Sequence, residues 1–106
     1  MARKSRIDVG GAIYHVINRA NGRNTIFHSD ADYVSFENLL FDTTETHNVL
    51  CLAYVIMPNH WHLLIKTFED GAMARFMRRL TQMHTQNIHM KNRTIGSGHI
   101  YQGRYK

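Results

Sequence analysis

The chain has 106 residues, 43% of them apolar, a formal net charge of +5 and a pI near 9.7, which fits one globular domain with a modest core. No apolar run approaches the length that crosses a bilayer, and a single cysteine, Cys51, excludes an internal disulfide framework. Arg3, Lys4 and Arg6 are not followed by an apolar signal region, so a cytoplasmic protein is expected.

Residues 1–11 are basic and then glycine-bearing, which predicts a mobile arm. Ala12 to Asn18 is rich in β-branched and aromatic residues and predicts a strand. Arg19 to Asn24 reads as a polar loop with an Asn21-Gly22 turn, from which Arg19 and Arg23 are candidates for phosphate contact. Ser29 and Asp32 have the spacing of a capping box. The helix that follows carries Tyr33, Phe36, Leu39 and Leu40 on one stripe and fades around Thr43 to His47.

Val49 to Met57 is apolar almost throughout, as in a central strand covered on both faces. Pro58 and Asn59 then suit a tight turn into a strand over His60 to Thr67. Glu69 and Asp70 place acid at the start of a second helix, Ala72 to Lys91. Its apolar stripe is Met73, Phe76, Met77, Leu80, Met83 and Ile88. Gly96-Ser97-Gly98 reads as a turn, and Ile100 to Lys106 as a last strand. The order β-α-β-β-α-β predicts an α+β ferredoxin-like fold, an antiparallel sheet of four strands with two helices on one face.

Alternation along the His60 strand puts His60 and His62 on one face and Trp61, Leu63 and Ile65 on the other. Two imidazoles one pleat apart can converge on a divalent cation. Among eight histidines, chance alone gives about 0.6 such pairs. The motif therefore draws its weight from the Pro-Asn turn before it and the apolar stripe behind it. In the predicted fold the helices cover the Trp61 face and leave the two histidines on the open one, where Leu64 calls for apolar cover. His15 falls on the neighbouring strand and is read as a core or hydrogen-bonded residue, His84, His89 and His99 as surface residues of a basic region.

That basic region is the second signal. Every acidic residue lies at or before Asp70, while Arg75, Arg78, Arg79, Lys91, Arg93, Arg104 and Lys106 follow with no acid among them. Such asymmetry points to a polyanion such as nucleic acid. The paired exposed aromatics of an RNA-recognition sheet are missing from the central strands.

Four blocks, GGAIYHVINRANGR, MPNHWHLLI, FMRRLTQMHTQ and GSGHIYQGRYK, occur in that order. Together they resemble the REP-associated tyrosine transposases, single-tyrosine members of the HUH endonuclease superfamily, over nearly the whole chain. The resemblance implies a protein that binds hairpins in single-stranded DNA and works as a homodimer. It implies that His60 and His62 hold Mg²⁺ or Mn²⁺ and that a tyrosine forms a 5′-phosphotyrosine link. In the family that tyrosine sits on a helix after the GRYK-like strand, which places it past Lys106; Tyr101 and Tyr105 match the strand block instead. The expectation is a form lacking that helix, inactive alone, with a non-catalytic single-stranded DNA- or RNA-binding remnant as the alternative.

Overall fold

The computed structural model describes residues 8–20, 24–92 and Tyr101. Five elements follow in order: β1 (Ile13–Arg19), α1 (Asp30–Thr46), β2 (Leu50–Met57), β3 (His60–Lys66) and α2 (Ala72–Asn92). The strands form an antiparallel sheet in the order β1-β3-β2. β1 and β2 therefore run the same way with β3 inserted between them, the split β-α-β of the predicted fold. The fourth strand, expected over Ile100 to Lys106, lies outside the described residues except for Tyr101, which makes an antiparallel bridge to Ala20. The Asn21-Gly22 and Gly96-Ser97-Gly98 turns lie outside them too.

The first helix begins as its capping residues dictate. Ser29 is the N-cap and its side chain accepts from the Asp32 amide, while the Asp32 carboxylate accepts from the amide of His28. It ends where Asn48 takes a left-handed φ of 52°, a conformation Asn tolerates, so that the Val49 amide can donate back to the Thr44 carbonyl.

Helix α2 is started from elsewhere in the chain. The Asp8 carboxylate accepts from the amides of Met73 and Ala74 at 3.2 and 2.9 Å, filling the acceptor role that a helix N-terminus needs. Asp70 accepts instead from the Gly10 amide. Gly10 lies so close to the corner after β3 that a Cβ would sit 2.7 Å from the Phe68 carbonyl carbon and oxygen. The mobile arm expected over residues 1–11 is thus corrected for residues 8–11, which are pinned to the start of α2; residues 1–7 lie outside the description.

The core lies between the sheet and the helices. Trp61, Leu63 and Ile65 are fully buried from β3, Val16 from β1, Phe36 and Leu40 from α1, and Phe76, Met77 and Leu80 from α2. Two expectations need correction here. β2 is an edge of the described sheet, and its outer side chains are exposed, Val55 at 55% and Met57 at 42%. A run apolar on both faces is read as doubly covered; here only one face meets the helices. A bulge between Cys51 and Ala53 shifts its register. His84, expected at the surface, is 5% exposed. It follows Leu80 and Met77 by one and two turns and so continues the apolar stripe of α2.

Candidate metal and phosphate site

The face of the sheet away from the helices carries the two predicted histidines. Register fixes its rows: Arg19, His60 and Met57 lie abreast, then Ile17, His62 and Val55, then His15, Leu64 and Ala53. Residues opposite one another in an antiparallel pair share a face, so Arg19, His15, His60 and His62 project from one surface. The ring centroids of His60 and His62 are 5.2 Å apart, and their planes stand 76° to each other. Both rings are half-buried.

Each of these two imidazoles has a partner at Nδ1. His60 Nδ1 lies 2.8 Å from the side-chain carbonyl Oδ1 of Asn59. An amide oxygen only accepts, so His60 carries its proton on Nδ1 and keeps a bare lone pair on Nε2. His62 Nδ1 lies 3.1 Å from His15 Nε2, with the two rings within 9° of parallel. Burial draws the His62 pKa below its ordinary value, and the neighbouring charges of His60, His15 and Arg19 add to the effect. The shift favours the neutral ring, the form in which imidazole binds a metal. Among the described residues no three His, Cys, Asp or Glu side chains are grouped to hold a metal ion. His15, tied to His62, is not a third ligand. The donor set among the described residues is two imidazoles, a ligand type that serves divalent transition metals.

The face opposite the histidines is tied down by a buried polar chain. The Trp61 indole N–H donates to the Tyr101 hydroxyl at 3.0 Å, and that hydroxyl is hydrogen-bonded to His84 Nδ1; a neutral imidazole there can accept the phenol hydrogen, which leaves both groups satisfied. His84 also packs against Phe36 and Phe27, with centroids 4.7 and 5.3 Å away. Its burial pulls the imidazole down to a pKa of about 4, against a small opposing effect of Asp32, and burial raises the Tyr101 phenol. Three sequence blocks noted above, those of Trp61, His84 and Tyr101, thus meet in one hydrogen-bonded line. Sequence reading missed it because a histidine in a basic block reads as a surface residue.

The predicted phosphate-binding residues divide. Arg19, the last residue of β1 and not a loop residue, stands beside His60. Arg75, Arg78 and Arg79 are exposed on α2, in the layer on the other side of the sheet. Arg75 pairs with Glu69 at 3.5 Å, and Lys91 pairs with Asp32 of α1. Arg23, Arg93, Arg104 and Lys106 lie outside the described residues. No described tyrosine shares the histidine face. Tyr14 and Tyr54 lie opposite Ile65 and Leu63 on the helix side, Tyr33 stacks on Phe27, and Tyr101 is buried against Trp61. No helix among the described residues is long and apolar enough to cross a membrane.

Comparison with known proteins bears on the family and the fold. The model of the family described as Transposase IS200 like matches residues 8–106. A solved structure of a REP-associated tyrosine transposase bound to a REP hairpin superposes with a TM-score of 0.75 at 18% identity. It covers 100% of this chain, which spans 60% of that one. A candidate transposase from Deinococcus radiodurans R1 superposes at 0.74 with 17% identity, over 99% of this chain and 83% of its own. These two likenesses show the fold. No curated protein matches the chain.

Proposed function

Because the chain belongs to the IS200-like transposase family, we propose that the sheet face turned away from its helices is a metal-dependent platform for hairpin-bearing single-stranded DNA. His60 and His62 are its metal ligands and Arg19 a phosphate contact beside them. The observation that carries this reading is the pair of imidazoles on the face turned away from the helices, with His60 presenting a bare Nε2. When bound, Mg²⁺ or Mn²⁺ supplies Lewis-acid polarisation of a phosphate oxygen. The chain's own residues do the rest: Asn59 fixes the His60 ring, burial favours the neutral form of His62, and the Arg19 guanidinium offers a charged fork to the backbone.

Arg78 and Arg79 face away from this platform, so in this reading they bind a more distant part of the DNA, with Arg75 and Lys91 of the same helix contributing charge beside their carboxylate partners. A homodimer would bring two such surfaces together. In the wider family a tyrosine on a helix following the GRYK block attacks the phosphate. That Tyr14, Tyr33, Tyr54 and Tyr101 all lie off the histidine face supports a described domain that binds and positions DNA without itself supplying that nucleophile.

Mn²⁺ titration of the 106-residue protein, followed by the loss of the free-ion electron spin signal, tests the site. His60→Ala and His62→Ala should each abolish tight binding while the fold persists, because both rings are only half-buried. Equal affinity in wild type and both variants would overturn the assignment. Hairpin binding should weaken steeply with added salt. A covalent DNA adduct on any of the four described tyrosines would refute the account of the nucleophile.

A further inference from the structure

We propose that His15 is a positioning residue that selects the tautomer of His62, an inference that rests on the metal site proposed above. The two rings are nearly parallel, 5.2 Å apart at their centroids and 3.1 Å apart at His15 Nε2 and His62 Nδ1. That combination sets them close to edge on, so that one N–H points at the other ring's lone pair. A neutral imidazole has one donor and one acceptor nitrogen, and the bond can therefore run in only two ways. If His15 donated, His62 would carry its proton on Nε2 and its free nitrogen would be occupied by His15, leaving none for a cation. If His62 donates from Nδ1, its Nε2 is bare.

The neighbouring ring decides between them. His60 is held as the Nδ1–H tautomer by Asn59 Oδ1, so it presents Nε2. Two ligands one pleat apart on one strand converge most simply through the same nitrogen, and His15 gives His62 what Asn59 gives His60: an acceptor behind the ring. His15 must then bear its own proton on Nδ1. It does so from a different strand, β1, at the position opposite Leu64. The pair is thereby oriented by both the turn before it and the strand beside it. Partners of this kind fix ring orientation and raise ligand basicity, and their loss typically costs roughly 10–100-fold in metal affinity.

The test uses the metal-free protein first. Long-range ¹H–¹⁵N spectra, recorded where the imidazoles are neutral, should show His60 and His62 both protonated on Nδ1 and His15 likewise. A His62 protonated on Nε2 overturns the proposal. Mn²⁺ affinity is then compared in His15→Phe, which keeps a flat ring but no acceptor, and His15→Gln, whose carbonyl can accept. A loss of roughly 10–100-fold in His15→Phe, with most of it restored in His15→Gln, supports the proposal; equal affinity in wild type and His15→Phe overturns it. Because His15 is exposed, both variants should fold, which backbone amide spectra would verify. The two levels separate cleanly. Loss of Mn²⁺ binding in His60→Ala and His62→Ala with no effect of His15→Phe rejects only the role of His15. Unchanged binding in all of them rejects the metal site and with it this inference.

Discussion

Acidification should destabilise this protein through His84, beginning above the pH range in which its carboxylates protonate. The folded imidazole has a pKa of about 4 against an ordinary 6.5, because it is buried. Between those values the unfolded chain binds a proton that the folded chain does not, so stability falls as pH falls. The loss amounts to about 2 kcal/mol by about pH 5 and about 3 kcal/mol by about pH 4, a large fraction of what a small domain has. Protonation also forces a second donor onto the phenol oxygen that already accepts from Trp61, and leaves the Tyr101 hydrogen without an acceptor. Urea unfolding across this range, followed by circular dichroism, measures the slope. His62, also depressed, adds to it in the same direction; Asp32, whose ordinary value is 3.8, contributes only lower down. The decisive quantity is therefore the difference between wild type and His84→Gln, which keeps an acceptor and cannot titrate. Parallel losses in the two proteins would refute the buried neutral imidazole.

Asp8→Ala should cost about 1–2 kcal/mol of stability, since the amides of Met73 and Ala74 lose the carboxylate that caps α2; an unchanged urea midpoint would show that water replaces it. Gly10→Ala should cost about 1–3 kcal/mol, because its Cβ meets backbone and not a movable side chain, and a neutral result would mean that the corner after β3 yields. Trp61→Phe should cost about 1–3 kcal/mol from lost packing and the lost bond to Tyr101. As the chain has one tryptophan, the comparison must be made by circular dichroism and not by fluorescence.

Alternation alone was enough to assign His60 and His62 to one face and Trp61, Leu63 and Ile65 to the core, because a strand's period of two admits no other arrangement once one side is buried. Helix α2 was legible from its stripe to within a residue at its C-terminal end. What escaped were interactions made at long sequence separation. Asp8 caps a helix whose amides are 65 and 66 positions away, and nothing local marks it as a cap. His15 meets His62 only because β1 pairs with β3 in one register. The exposed outer side of β2 misled for another reason: hydrophobicity reports what a residue prefers, and Val55 and Met57 sit where the described chain supplies no neighbour.

The turn that precedes the histidines has a mechanical consequence. A two-residue hairpin tip usually frays first, yet here the Pro58 carbonyl accepts from the amides of Ile26 and Phe27 and the Asn59 carbonyl from that of Ala20. Opening the tip would tear away the chain leading into α1 and the end of β1 together, a cooperative event and not an independent local one. Amide exchange at Ile26, Phe27 and Ala20 should accordingly share one slow rate, and the imidazoles next to the tip inherit its stillness.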